Sequence, residues 1–349
     1  MAHKITFFNF DHWGEEGKDY IRQSAKLKAA GVEVAFAEGL LNKDRIPSGS
    51  DADFDLAGVF MDSLISAEVL NGLPNLRFVA TLSTGFDHID LATAAAKGIP
   101  VSSVPSYGEN TVAEFTFGLI LALSRKIIKA NRQVREEGSF STDDLCGFDL
   151  AGKTLGVVGT GHIGQHVVRM AKGFGMNVAA FDAYPNGALA SEFGFTYLTL
   201  PELLGTSDIV TLHVPYMPAT HHLINKDNIG LAKKGAYLVN TSRGAVVETA
   251  ALVAALKNGQ LGGAGLDVLE EEGILKSEME FVTAGREESH DLKVVLEDHV
   301  LIDMPNVIIT PHNAFNTKEA FFRILDTTID NVVAFVNGAP INVVKAKNV

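Results

Sequence analysis

A chain of 349 residues is too long for one ordinary core and points to two domains. It is 46% hydrophobic with 33 Gly and 11 Pro, which excludes a disordered, collagenous or low-complexity protein. Its 29 basic and 42 acidic side chains leave a net charge of −13 and no Lys/Arg stripe, so no nucleic acid and no membrane surface is expected as a partner. The single cysteine, Cys146, excludes a disulfide framework and a thiolate metal cage, and no metal site is expected. Placed among Asp143, Asp144 and Asp149, it reads as an ordinary thiol. Ile5–Phe10 has the length of a strand and lacks the basic region of a signal peptide. The apolar stretch 115–128 carries Arg125 and Lys126 and is too short to span a bilayer, so a cytoplasmic protein is expected.

Strand-like runs alternate with helical patterns along the whole chain, which predicts α/β architecture with parallel sheets. In the first third, Lys4–Phe10, Val32–Ala37, Leu56–Met61, Phe78–Leu82 and Val101–Val104 read as strands. A long helix is predicted from Asn110 or Thr111 to about Val134, opened by a Thr111-Val-Ala-Glu114 capping box and ended by Gly138. A second strand series follows: Thr154–Val158, Asn177–Phe181, Ile209–Val214, Ala236–Asn240, Gly265–Val268 and Val307–Thr310. The helical tail 318–337 comes after the second sheet is complete and is expected to pack on the first. Two doubly wound parallel-sheet domains result, with a cleft between them. One is discontinuous, 1–104 with 315–349; the other is 105–314.

Gly159-Thr-Gly161-His-Ile-Gly164 is a G-x-G-x-x-G between the strand Leu155–Val158 and a helix, the context that a dinucleotide turn requires. Gly159 permits the turn, Gly161 lets backbone approach a pyrophosphate, and Gly164 lets helix pack on strand. The N–H groups of His162 and Ile163 at the helix N-terminus are the expected phosphate donors. Asp182 ends the next strand, where a carboxylate accepts from both ribose hydroxyls and repels a 2′-phosphate; NAD is therefore favoured over NADP.

Further motifs follow in order: Leu212-His-Val-Pro215, Asn240-Thr-Ser-Arg-Gly244, Leu266-Asp-Val-Leu-Glu-Glu-Glu272 and Thr310-Pro-His312. With the glycine turn they resemble the D-isomer-specific 2-hydroxyacid dehydrogenase family over essentially the full chain. That resemblance implies a Rossmann NAD-binding domain beside a flavodoxin-like substrate domain, and a homodimer with the 110–137 helix as a contact. Hydride transfer between nicotinamide and a 2-oxo acid needs a cation for the carboxylate, a proton donor for the alkoxide and an anion to tune that donor. Arg243 offers the planar fork, His312 the proton, and Glu272 the acceptor that stabilises charged His312. The family uses Arg, Glu and His in this order. Within the acidic run Glu270–Glu272, the last is chosen because it lies where the family places its acid.

By family position, Val214, Pro215, Thr241, Ser242 and Asp267 are implied cofactor contacts. In the turn Leu82-Ser-Thr-Gly-Phe-Asp87, the resemblance implies that Ser83, Thr84 and Gly85 bind the substrate carboxylate through backbone N–H groups. Tyr107 and Phe315 resemble substrate-contacting aromatics of the D-lactate dehydrogenase branch, although Gly-Glu follows Tyr107 where that branch has Ser-Pro. Pyruvate and D-lactate are thus the leading pair among small 2-oxo and 2-hydroxy acids. A phosphite dehydrogenase of the same superfamily and a non-enzymatic NAD-sensing protein are the alternatives. The spacing from Glu272 to His312 exceeds that expected for the family; the extra length, 276–301, is charged and reads as a helical surface insertion. His290 and His299 within it are rival bases without a preceding Thr-Pro. His213 reads as structural, and His221 and His222 as exposed loop residues.

Overall fold

The computed structural model describes residues 3–272 and 292–345. Contacts divide the chain into one unit of Met1–Tyr107 with Thr317–Val349 and a second of Gly108–Asn316, so the cuts fall a few residues past 104/105 and 314/315.

The first unit is built on β1 (His3–Phe8), β2 (Val32–Ala37), β3 (Leu56–Val59), β4 (Phe78–Thr81) and β5 (Val101–Ser102). They pair in the order β2-β1-β3-β4-β5, parallel throughout, the flavodoxin-like doubly wound arrangement. Every residue of β3 and β4 is buried, as happens when helices cover both faces of a sheet. The connections include helices α1 (Gly14–Gln23), α2 (Ala25–Ala29), α3 (Ala67–Gly72) and α4 (Leu91–Ala96). Lys318–Val336 forms the last helix of the chain and closes this unit: Phe335 stacks on Phe78 at 4.5 Å between centroids, and Asn331 Nδ2 donates to the Ser103 carbonyl at 2.8 Å.

The second unit begins with α5 (Glu109–Ser124) and α6 (Ile127–Glu136). Its sheet comprises β6 (Thr154–Val158), β7 (Asn177–Phe181), β8 (Thr196–Tyr197), β9 (Ile209–Leu212), β10 (Ala236–Asn240), β11 (Leu261–Leu266) and β12 (Val307–Ile309). The order β12-β11-β10-β9-β6-β7-β8, again all parallel, reverses direction between β6 and β9. In such sheets ligands lie beyond the carboxyl ends of the strands at that reversal. Side chains alternate between two cores. Val157 and Val239 pack with Phe117 and Ile120 of α5 and Val167 and Val168 of α7 (His162–Gly173), whereas Val158 and Leu238 pack with Leu203 of α9 (Leu200–Thr206) and Leu252 of α10 (Thr249–Lys257). Between α7 and α9 lies the short α8 (Gly187–Phe193).

The long helix expected over 110–134 is two helices. Phe148 N donates to Ser124 O at 2.9 Å, and a Cβ on Gly147 would sit 2.1 Å from that oxygen, so the crossing chain takes the carbonyl and Lys126 turns left-handed at φ 52. The helix opens at Gly108 rather than through the expected capping box; Asn110 Nδ2 instead donates to Glu114. The strand read as Gly265–Val268 runs Leu261–Leu266. Its glycines hid it from periodicity: a Cβ on Gly263 would meet Asn306 O at 2.6 Å and the Tyr237 ring at 2.9 Å, so only glycine fits. The two-residue β8 carries too little pattern to read.

Part of the extra segment is not surface. Leu292–Asp303, here α11, buries Val295, Asp298 and Leu301, and Leu301 joins the core cluster of α9 and α10. His299 is exposed, and His290 lies outside the described residues. The helix 318–336 is numbered α12. Leu301→Ala should therefore cost the protein about 2–5 kcal/mol, as core leucine truncations do, and lower the denaturant midpoint accordingly. A change within roughly 0.5 kcal/mol would make α11 a surface appendage.

Candidate functional site

The glycine turn is shaped by backbone close approach. Gly159 follows β6 with φ 94, its N–H donates to Phe181 O at 2.8 Å, and a Cβ there would lie 2.9 Å from the His213 carbonyl beyond β9. On Gly164 a Cβ would fall 2.0 Å from Gly159 O. Nothing lies within 4 Å of a Cβ on Gly161, which caps α7 without a side-chain hydrogen bond, so first-turn N–H groups, including those of exposed His162 and half-buried Ile163, are left to an anion. Asp182, just past β7, accepts on Oδ2 from Thr160 N (2.7 Å) and Thr160 Oγ1 (2.9 Å), and on Oδ1 from Tyr184 N (2.9 Å). Thr160 Oγ1 spends its proton on Asp182, so Tyr197 OH, 2.8 Å away, donates to it. These residues fit a dinucleotide: unobstructed backbone at Gly161 and a fixed carboxylate beyond the neighbouring strand. Thr160 sits at an x of the motif, which is why sequence reading passed over it.

His213 is buried. Its Nε2 pairs with Thr211 Oγ1 at 2.9 Å, its Nδ1 has no partner among the described residues, and burial pushes its pKa down to about 3. It is a neutral structural histidine at working pH. Val214 is half-buried and Pro215 exposed just beyond it.

The remaining groups sit at the carboxyl ends of three adjacent strands, β10, β11 and β12. At the end of β10, buried Asn240 accepts from Ser242 N (3.0 Å) and Ser242 Oγ (2.8 Å) and donates to Arg243 O (2.9 Å), a tight turn that sets the arginine backbone. Arg243 Nη1 donates to Ser242 O at 2.8 Å. Thr241 turns its hydroxyl to Thr116 of α5 at 3.0 Å, leaving its backbone for a ligand. A Cβ on Gly244 would sit 2.0 Å from the Leu269 carbonyl carbon, so this turn is pressed onto the acidic segment after β11.

Asp267, 1% exposed, is a hub. Its Oδ1 accepts from Thr310 Oγ1 (2.5 Å) and Asn313 N (2.8 Å), its Oδ2 from Ala314 N (2.8 Å), and its carbonyl from His312 N (2.8 Å). Burial raises its pKa, opposed by those bonds and by His312. The clamp holds His312 at φ 51, a left-handed conformation that costs a non-glycine residue about 1–2 kcal/mol. His312 Nδ1 lies 2.8 Å from Glu272 Oε1. A carboxylate accepts, so Nδ1 carries a proton and Nε2 is left for proton exchange with a substrate. Phe315, following the clamped residues, is buried in the same unit.

The acidic run is not a solvated face. Glu270 Oε1 is 2.6 Å from His222 Nε2, while its Oε2 accepts from Thr249 Oγ1 at 2.8 Å. His222 is thus half-buried, with φ 49, contrary to the exposed loop expected; His221, exposed, stacks on it at 3.9 Å. Glu271 N donates at 3.3 Å to Oδ2 of Asp298 on α11. Asp298 is fully buried, its Oδ1 has no partner among the described residues, and burial, reinforced by the Glu270 and Glu271 charges, pushes its pKa up to about 7. A sequence offers no signal for this residue, because a lone Asp in a charged stretch reads as surface.

Ser83, Thr84, Gly85 and Tyr107 belong to the first unit. Ser83 Oγ donates to Gly85 O at 2.6 Å and Thr84 Oγ1 to Val104 O at 2.7 Å. Among the described residues, the N–H groups of Thr84 and Gly85 meet no protein acceptor. Tyr107 is half-buried. Among the described residues no cluster of three His, Cys, Asp or Glu is placed to hold a metal ion, and no helix is long and apolar enough to cross a membrane.

Residues 117–314 match the model of the D-isomer specific 2-hydroxyacid dehydrogenase NAD binding domain. The chain is similar to the D-lactate dehydrogenase of Escherichia coli, 37% identical over 320 residues that cover 90% of this chain and 92% of the relative. It is also similar to the hydroxypyruvate reductase of Blautia hydrogenotrophica, 38% identical over 282 residues covering 79% and 81%. The crystal structure of D-lactate dehydrogenase from Aquifex aeolicus, complexed with NAD and lactic acid, superposes with a TM-score of 0.84 at 35% identity, covering 99% of this chain and 100% of that one.

The buried acid on α11 sets a pH dependence. Native Asp298 keeps its proton up to about pH 7, while the unfolded chain releases it near 3.8, so unfolding releases a proton between these values and stability falls as pH rises through that window. From about pH 4 to about pH 7 the wild type should lose up to about 1.4 kcal/mol per pH unit relative to Asp298→Asn, which ends the more stable of the two. Parallel pH–stability curves for the two proteins would contradict a buried titrating carboxyl.

Proposed function

The chain belongs to the D-isomer-specific 2-hydroxyacid dehydrogenase family of NAD-dependent oxidoreductases, and from that premise we propose that it interconverts pyruvate and D-lactate, with His312 as the acid–base. The observation that carries this reading is the 2.8 Å bond from His312 Nδ1 to Glu272 on a histidine clamped by Asp267.

In the reduction, protonated His312 gives its Nε2 proton to the carbonyl oxygen of the 2-oxo acid as C2 changes from trigonal to tetrahedral. In the reverse direction Nε2 takes the hydroxyl proton. Glu272 accepts from Nδ1 in both, so it fixes the ring and leaves Nε2 for the transferred proton. Arg243 is assigned the carboxylate and the neighbouring oxygen, where its fork offsets negative charge developing on that oxygen. The free amides of Thr84 and Gly85 are assigned the substrate carboxylate, and Tyr107 and Phe315 the methyl side. When bound, the dinucleotide supplies the hydride in one direction and accepts it in the other. Asp182, pinned by Thr160, would hold the adenine ribose, and the first turn of α7 the pyrophosphate.

Pyruvate is preferred because a sequence relative and several similar solved structures are named D-lactate dehydrogenase, although the hydroxypyruvate reductase matches at 38% identity against 37%. A cytoplasmic homodimer is proposed with it. The exposed Ile127, Ile128 and Val134 of α6 support a second copy as the partner.

Following NADH absorbance with pyruvate, hydroxypyruvate and glyoxylate should give the highest kcat/KM for pyruvate, and oxidation of D- but not L-lactate. A higher value for hydroxypyruvate would move the assignment to that substrate. His312→Ala should lower kcat by about 10²–10⁴ with little change in KM, whereas Arg243→Ala should raise KM and lower kcat together. Wild-type rates in His312→Ala would remove it from proton transfer.

A further inference from the structure

The turn assigned to the substrate carboxylate rests on a line of hydrogen bonds, buried at its middle and part-buried at both ends. Ser83 Oγ is 2.6 Å from Gly85 O, Thr81 Oγ1 is 2.7 Å from Ser83 Oγ, and His88 Nε2 is 3.2 Å from Thr81 Oγ1. Thr81 is 0% and Ser83 1% exposed, so water does not enter the line. Each hydroxyl has one proton, which fixes the direction of every bond. A carbonyl only accepts, so Ser83 donates to Gly85. Thr81 must then donate to Ser83, and with its proton spent it can only accept from His88.

We infer that His88, holding its proton on Nε2, is a positioning residue for substrate binding: it polarises a Thr81–Ser83 relay that pins the Gly85 carbonyl and so orients the Thr84 and Gly85 amides. The alternative tautomer reverses the line. Thr81 would donate to an unprotonated Nε2, Ser83 would donate to Thr81, and Gly85 O would face a hydroxyl oxygen without a hydrogen between them. The other side of the turn is already fixed, by Thr84 Oγ1 on Val104 O and by Val104 N on Ser83 O at 2.9 Å. The relay adds a restraint at Gly85 O, on the far side of the two successive peptides that present these amides. His88 itself is tied into the fold through its carbonyl, which accepts from Ile65 N at 2.9 Å. Nothing in the line requires His88 to touch substrate.

The inference rests on the proposed function, and the tests separate the two. In ¹⁵N-histidine spectra of the full-length protein, His88 should show a protonated, slowly exchanging Nε2, identified by its absence in His88→Gln. A proton on Nδ1 alone overturns the relay whatever the enzyme does. In kinetics, Thr81→Val, close to isosteric but without a hydroxyl, should raise the KM for pyruvate roughly ten-fold, because the amides lose their preset orientation. The NADH dissociation constant and kcat should stay within about two-fold, and Thr81→Ser should restore the wild-type KM. Should Thr81→Val fail to fold, His88→Leu against His88→Gln makes the same comparison, the glutamine keeping a donor. An unchanged KM in the folded variants, or kcat and NADH affinity falling in step with it, overturns the positioning role. A wild type that reduces no 2-oxo acid while showing the Nε2 proton overturns the functional reading and supports the polarity of the relay.

Discussion

One buried carboxylate organises the proposed chemistry. Asp267 is desolvated at a cost, and that cost is offset because both of its oxygens and its carbonyl receive hydrogen bonds from the segment 310–314. The left-handed turn at His312 survives because three neighbouring residues are held on the same acid. A histidine following β12 on an ordinary loop would sample several ring positions. Here its backbone is over-determined before the ring meets Glu272, so the 2.8 Å contact is prepaid in the fold.

The segment after β11 shows how three consecutive acids can be given separate tasks. Glu270 ties the His222 loop to the start of α10, Glu271 lends its amide to Asp298, and Glu272 reaches His312. The division depends on backbone contacts too close for side chains, above all Gly244 against Leu269. Mutual repulsion among three carboxylates would favour their spreading into solvent, but the Glu270 and Glu272 carboxylates are anchored on different elements and Glu271 is held through its amide.

Much of this was legible beforehand, for physical reasons. Strands buried on both faces leave continuous apolar runs, so β3, β4, β6 and β10 stand out in the sequence. The glycine turn, Asp182, Arg243 and His312 stand at strand ends where residue type and context agree. What stayed hidden depends on tertiary neighbours. β11 is written in glycine because Tyr237 and α5 occupy its faces, and α5 stops at Ser124 because a distant strand of chain claims that carbonyl. Asp298 and the His88–Thr81–Ser83 line are invisible to periodicity, since burial of a polar group and the direction of a hydroxyl proton are properties of packing alone.

The contribution of α12 to the first unit has a consequence for biosynthesis. Asn331 and Ser103, which bond in the finished protein, are 228 residues apart, so at ribosomal speed the first sheet waits on the order of ten to fifty seconds for its covering helix. During that delay the contiguous span 108–316 emerges complete and folds, while Phe78 and its neighbours lack the ring of Phe335. The unit whose sheet is translated first is therefore the unit finished last, and until then its apolar strands lack their cover.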